Sequence, residues 1–169
     1  MFREMRRFRQ QLSHEESEEI LRRAASGVLA LLGDEDYPYA VPLSHVYADG
    51  KLYFHGARSG HKLDAARAHP KASFCVVDQD QVVAEEYTTY FRSVIIFGRA
   101  RIIDDVAEKH KIAELLVEKY SPNQGEDIHK MFEKRIAWMG AFEIDIDHIS
   151  GKEAIEFADP EFSFDSIKG

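Results

Sequence analysis

The chain has 169 residues, enough for one domain with a sizeable hydrophobic core. Its formal net charge of −8 and the lack of a sustained Lys/Arg tract argue against binding to nucleic acid or to an anionic membrane surface. No long apolar run or leader segment is present, and Cys75 is the single cysteine, so we expect a cytoplasmic protein without an internal disulfide.

The N-terminal segment predicts an arm followed by a helix, over residues 1–26. Four arginines of the arm (Arg3, Arg6, Arg7 and Arg9) are interpreted as solvated, with contact to a phosphate as the alternative. Ser13 and Glu16 have the spacing of a capping box, in which each residue caps the other's backbone at a helix start. An apolar stripe follows, and Gly27 ends the helix.

Three strands joined by tight turns come next. Val28–Leu32 and Tyr39–Tyr47 are apolar runs separated by a polar turn. Asp49-Gly50 is a strong hairpin signal and separates Tyr47 from the strand that begins near Leu52. We expect these strands to form an antiparallel meander.

The second half of the chain alternates strands with a few helices. The predicted elements are strand Ala72–Val77, loop Asp78–Tyr90, strand Arg92–Ile103 with a bend at Gly98, helices Val106–Tyr120 and Ile128–Glu133, and strand Ile136–Ile146. Six strands in tight hairpins indicate a mainly β domain over residues 27–150, a small antiparallel barrel with helices across its ends. Residues 151–169 are expected to form a tail.

One stretch has the chemistry of an anion site. The strand that ends near Ala57 runs through a short turn into a helix that begins at His61. A helix start presents unpaired N–H groups and the positive end of the helix dipole. Ser59, His61 and Lys62 add donors there, and Gly60 allows close backbone approach. An ordinary strand-turn-helix with solvated basic residues explains the same stretch equally well.

Several short motifs, in this order, resemble the flavin-binding split-barrel superfamily that includes pyridoxamine 5'-phosphate oxidase. The resemblance is stronger to its nitroimidazole-resistance (Nim-type) branch. The motifs are Tyr37–Ser44, Gly50–His55, Gly60-His61-Lys62, His69-Pro70-Lys71, Tyr87-Thr88-Thr89, Arg92–Ile95, Gly98-Arg99-Ala100 and Ile149–Lys152.

The resemblance implies a six-stranded antiparallel split barrel and a homodimer with FMN in the clefts between subunits. It also implies that His61 and Lys62 hold the flavin phosphate. The other implied contacts are the backbone of Pro42, Leu43 and Ser44 at the pyrimidine edge, Arg92 and Ser93 from a barrel strand, and Trp138 of the partner chain as a wall for the ring.

Two histidines are candidates for catalysis. His45 and His55 are expected to face the same cleft, where His55 would contact the flavin or the substrate. An imidazole there could donate a proton to a reduced substrate. A satisfied histidine of the barrel interior is the alternative for each. The sequence also departs from the family at two places: His45 stands where relatives carry an uncharged residue, and Glu85-Glu86 stands where a cysteine is common.

Three functions follow from this resemblance. The first is an FMN-dependent oxidoreductase that reduces a small planar, nitroaromatic-like acceptor with electrons from NAD(P)H. The second is a non-catalytic protein that binds or senses flavin or haem, with His45 or His55 as an axial haem ligand. Oxidation of a B6 vitamer is disfavoured, because the C-terminal region lacks a second basic cluster for the substrate phosphate.

Overall fold

The computed structural model describes residues 1–123, 126–159 and 161–162 of the chain. Its strands are β1 (Ser26–Leu32), β2 (Pro38–Ser44), β3 (Val46–Ala48), β4 (Lys51–Gly56), β5 (Lys71–Val83), β6 (Thr88–Ile103) and β7 (Gly140–Glu153). Its helices are α1 (His14–Arg23), α2 (His61–Ala68), α3 (Val106–Tyr120), α4 (Glu126–Arg135) and α5 (Ile155–Ala158).

Within this part of the chain one antiparallel sheet has seven strands, in the order β2-β1-β5-β6-β7-β4-β3. The two edge strands, β2 and β3, are consecutive in the sequence and are separated by His45 alone. The sheet must therefore curl until its edges meet at that residue, without hydrogen bonds between them. This is the split barrel that the sequence predicts, with seven strands instead of six.

The extra strand arises because the predicted strand Tyr39–Tyr47 breaks at His45. Residues before the break pair with β1, and residues after it pair with β4. A break is needed because one continuous strand cannot lie at both edges of the same sheet. No local signal in the sequence marks this corner.

The prediction of a loop over Asp78–Tyr90 is wrong. β5 and β6 continue as a long hairpin that pairs Gln79 with Arg92 and ends with the pair Val83 and Thr88, leaving a turn of four residues. This extension projects beyond the core, so polar residues occupy both of its faces. The alternation of apolar and polar residues that indicates a strand is therefore weak in this segment.

The last strand is shifted relative to its prediction. Ile136–Trp138 form a short 3₁₀ turn, and β7 starts only at Gly140. The strand then runs to Glu153, so the predicted barrel boundary at residue 150 falls inside it. The bend expected at Gly98 is confirmed, because the register between β6 and β7 shifts between Phe97 and Gly98.

The barrel interior is packed by aromatic rings from three strands. The Phe54 ring stacks on Phe142 at 4.6 Å between centroids and meets the edge of Phe74 at 5.3 Å. Helix α1 adds Ile20 and Leu21 to the same core, and its predicted capping box is present. None of the described helices is long and apolar enough to span a membrane.

Candidate functional site

The strand-turn-helix predicted as an anion site forms as expected. β4 ends at Gly56 and α2 begins at His61, with Gly60 as the residue before the helix. Gly60 has a φ of +131°, a conformation that other residues rarely adopt. The N-terminus of α2 has no side-chain cap, so its first N–H groups are available to a ligand. Ser59 lies exposed in the turn.

Lys62 provides a cation at this helix start. Its side chain folds over the end of β4: a Cβ placed on Gly56 would lie 3.6 Å from Lys62 Nζ. The Lys62 ammonium forms no hydrogen bond or ion pair with any residue that the structure describes. A half-buried ammonium without a counter-charge favours the approach of an anion.

His61 is oriented towards the turn between β1 and β2. Its ring stacks on Tyr39 at 4.1 Å between centroids, and its Nε2 lies 3.6 Å from the Asp34 carboxylate. The helix start is thereby held beside the beginning of β2. Since Asp34 already faces His61, Lys62 is the better placed of the two residues to attract a phosphate.

β2 offers backbone groups along an open edge. Within the described residues no strand pairs with β2 on the side away from β1. Pro42 and Ser44 are exposed, whereas Leu43 packs against the core. A proline suits an edge strand because it has no N–H to donate. This segment lies roughly 10–17 Å along the strand from Tyr39, whose ring stacks on His61 at the start of α2.

His55 and Trp138 line a shared cavity of about 310 Å³, together with Met131, Arg135 and Met139. Burial lowers the pKa of His55, so its imidazole is neutral at pH 7. The indole of Trp138 is 75% exposed, and the Arg58 guanidinium lies 5.9 Å from its ring centroid. An exposed tryptophan beside an imidazole offers a flat apolar surface and a proton carrier.

His45 does not face this cleft, so its predicted placement is wrong. It is 0% exposed, its Nε2 lies 2.8 Å from the Leu21 carbonyl oxygen, and its ring meets the edge of Phe74. Burial and the nearby Lys119 ammonium lower the pKa of His45 to about 4. A neutral imidazole enclosed in the core cannot reach a substrate or a haem iron. No group of three or more metal-ligating side chains occurs among the described residues.

Arg92 and Ser93 lie far from Lys62 within one chain. The end of β4 pairs with Ala141, which pairs with Ile103 of β6. Arg92 is at the opposite end of β6, about 35 Å away along the strand. Its Nε donates to Glu153 Oε2 at 2.9 Å. A single chain therefore cannot unite these residues with the helix start.

Sequence reasoning missed Gly140, which lets the turn after β4 pack on β7. A Cβ at this position would lie 2.1 Å from the backbone oxygen of Ala57. Only glycine leaves room for such an approach. The one available signal was a glycine at the start of an apolar run, which by itself also fits a turn.

Comparison with known proteins places the chain in a family. A family model described as pyridoxamine 5'-phosphate oxidase matches residues 13–153. A search among curated proteins found no match.

Three solved structures illustrate the similarity of the fold. A candidate 5-nitroimidazole antibiotic resistance protein from Bacteroides thetaiotaomicron is 18% identical, with a TM-score of 0.69 over 85% of this chain and 86% of that one. The flavocytochrome of Azotobacter vinelandii is 20% identical, with a TM-score of 0.76 over 94% and 79%. An FAD-binding protein from Mesorhizobium loti is 27% identical, with a TM-score of 0.62 over 85% and 96%.

The family model extends from the cap of α1 to the last residue of β7, and the solved structures share the barrel. The chain therefore belongs to the pyridoxamine 5'-phosphate oxidase family.

Proposed function

We propose that this protein is an FMN-dependent oxidoreductase that reduces a small planar, nitroaromatic-like acceptor with electrons from NAD(P)H. The observation that carries the proposal is the unpaired Lys62 ammonium at the open N-terminus of α2. Cations and free N–H groups at a helix start are suited to a phosphate monoester. FMN, when bound, supplies the hydride and electron transfer between nicotinamide and acceptor.

The residues around this helix start fit the parts of FMN. Lys62, His61, Ser59 and the N–H groups next to Gly60 would hold the phosphate. The open edge of β2 at Pro42, Leu43 and Ser44 would bind the pyrimidine edge, which needs fixed hydrogen-bond partners. Trp138 of the partner chain would provide a flat apolar wall for the ring, and its exposure in the single chain fits this role.

A homodimer would also bring in Arg92 and Ser93. One chain cannot unite them with its own Lys62, so they would serve the cleft of the partner. The outer face of the sheet supports this arrangement, because it carries two exposed apolar residues: Val77 is 61% exposed and Ile95 is 42% exposed. Apolar surface of this kind on a sheet favours contact with another protein surface.

His55 would act as the proton carrier of the site. It lines the same cavity as Trp138, and its lowered pKa keeps the ring neutral at pH 7. From there it can orient an acceptor or relay a proton to it from solvent. His45 is excluded from this role by its burial.

Known relatives support the cofactor class. The similar structures include an FAD-binding protein, a flavocytochrome and a protein from Mycobacterium smegmatis described as binding FAD and haem. Haem ligation by His45 is disfavoured, because His45 is buried. Two alternatives are flavin binding without turnover and oxidation of a B6 vitamer. Steady NAD(P)H oxidation that depends on the added acceptor would distinguish the proposed activity from both.

Lys62→Ala should weaken FMN binding about ten- to a hundredfold, since a charge-assisted contact with a phosphate contributes roughly 1.5–3 kcal/mol. Lys71→Ala is the matched control, because it removes the same charge from an exposed residue at the start of β5. Fluorescence titration of each purified variant with FMN measures the effect. Equal dissociation constants for the two variants would refute the phosphate site.

His55→Gln should leave FMN affinity within about twofold of the wild-type value, because the side chain does not contact the phosphate. Turnover of NAD(P)H with a nitroaromatic acceptor should fall by about a hundredfold, the usual lower range of general acid catalysis. Steady-state kinetics and FMN titration of the same preparation separate the two effects. Unchanged turnover would assign His55 to packing alone.

A further inference from the structure

A second cavity, of about 400 Å³, lies between the N-terminal arm, the start of β6 and the segment that follows β7. Among the described residues it shares no lining residue with the cavity at His55 and Trp138. Its volume lies in the range that binds small organic molecules. The proposed flavin site makes no use of it.

Five of the described lining residues are apolar. They are Phe8, Phe91, Ala154, Ile155 and Phe162. Thr88 and Thr89 add hydroxyl groups, and the Thr88 hydroxyl donates to Glu156 Oε1 at 3.1 Å. Three aromatic rings in one small cavity favour a flat apolar ligand.

Three arginines of the arm also line this cavity: Arg6, Arg7 and Arg9. None of their guanidinium groups forms an ion pair or hydrogen bond with a residue that the structure describes. Among the described lining residues Glu156 is the one carboxylate, and three cations outnumber it. The excess of positive charge next to apolar walls, on a chain whose net charge is −8, favours an organic anion.

Gln10 adds a requirement for a hydrogen-bond donor. It lines the cavity, is 4% exposed, and its Nε2 donates to the Glu153 carbonyl oxygen at 3.1 Å. That acceptor fixes the orientation of the amide, since only the NH₂ group can donate. The other amide atom, Oε1, is buried without a partner among the described residues. Such an orphaned acceptor is unfavourable, and a ligand N–H or O–H can satisfy it.

We propose that this cavity is a second ligand site, separate from the flavin site, for a small aromatic anion that carries an N–H or O–H donor near its charged group. The arginines bind the anionic group, the phenylalanines pack against the ring, and Gln10 accepts the donor. The arm that the sequence predicts as solvated thereby becomes part of a binding site.

A pair of fluorescent probes tests this proposal. 8-Anilinonaphthalene-1-sulfonate has an aromatic body, an N–H and a sulfonate, and N-phenyl-1-naphthylamine is the same molecule without the sulfonate. The wild-type protein as purified should bind the sulfonate probe at one saturable site per chain, at least tenfold more tightly than the neutral probe.

Two variants locate the site. Replacing Arg6, Arg7 and Arg9 together by Ala should weaken binding of the sulfonate probe at least tenfold. Binding of the neutral probe should be unaffected. Thr89→Phe, which fills the cavity, should weaken the binding of both probes at least tenfold. The charge-matched control replaces Arg3, Arg67 and Lys71 by Ala, none of which lines the cavity, and should bind both probes like the wild type.

The proposal is overturned if the two triple variants lose affinity for the sulfonate probe to the same extent, because the loss would then result from the change in net charge. It is also overturned if Thr89→Phe leaves binding unchanged, since the probes would then bind elsewhere. Circular dichroism of each variant establishes that it is folded before binding is measured.

Discussion

At the scale of single residues, His45 stabilises the corner between β2 and β3. Its ring nitrogen bonds to the end of α1, and the Lys119 ammonium donates to the His45 carbonyl oxygen at 2.9 Å. The Tyr120 hydroxyl accepts from the His45 N–H at 3.1 Å. A corner that lacks a strand partner thus has its backbone groups satisfied by side chains from α3.

This arrangement predicts a loss of stability in mild acid. The folded protein holds His45 neutral with a pKa of about 4, whereas the unfolded chain has the ordinary value of 6.5. The stability linked to this group is therefore complete above pH 6.5 and is lost as the pH falls towards 4. Its maximal contribution is roughly 3 kcal/mol, from about 1.4 kcal/mol per pKa unit.

Urea unfolding of wild type and His45→Gln between pH 7 and pH 4 measures this contribution. The variant should be less stable at pH 7, and the difference in unfolding free energy should shrink towards pH 4. His14→Gln, which removes an exposed histidine, should follow the wild-type profile. Parallel profiles for wild type and His45→Gln would show that the buried ring does not titrate on unfolding.

At the scale of elements, the turn between β4 and α2 depends on its contact with β7. Gly140 faces the Ala57 backbone. Gly98 is similarly confined, because a Cβ placed on it would lie 2.3 Å from the Asp145 carbonyl oxygen. Both glycines permit close packing, but only Gly140 contacts the turn that leads to Lys62.

Gly140→Ala and Gly98→Ala should each destabilise the protein by about 1–3 kcal/mol, because backbone must move to accept the methyl group. Only Gly140→Ala should also weaken FMN binding, by about tenfold or more, since it displaces the turn that carries Gly60. Thermal unfolding and FMN titration of the two variants measure both effects. An equal loss of FMN affinity in both variants would attribute the effect to general destabilisation.

At the scale of the whole molecule, the outer face of the sheet presents a row of small and apolar residues across four strands. Pairing aligns Pro42 with Val28, Val28 with Cys75 and Cys75 with Ile95. Burial raises the pKa of the Cys75 thiol, so it is a packing group in this row and no nucleophile. A partner surface laid on this row would close a cleft that one barrel leaves open.

Ile95→Lys should raise the dimer dissociation constant at least about a hundredfold, because each subunit would bury an unpaired ammonium. Flavin content should fall with the dimer, since each cleft needs both subunits. Val106→Lys is the matched control, an exposed apolar residue at the start of α3. Sedimentation velocity with detection at flavin wavelengths follows both quantities, and a dimer unaffected by Ile95→Lys would exclude this face as the interface.

The features that the sequence determined by itself are those set by neighbouring residues. The capping box of Ser13 and Glu16 starts α1, and Asp49-Gly50 turns with φ values of +53° and +71°. The strand-turn-helix around Gly60 also formed as predicted. Each needs only a few consecutive residues, and the hydrophobic period supplied the class of fold. The resemblance to the family rests on the same local motifs.

The tertiary structure alone decided which residues meet. His45 and His55 look alike in the sequence, yet closure of the barrel buries the first and leaves the second in a cavity. The register of β6 separates Arg92 from Lys62 by most of a strand's length, which makes a second chain necessary for the predicted site. Burial and register depend on contacts between residues far apart in the chain, and no local pattern encodes them.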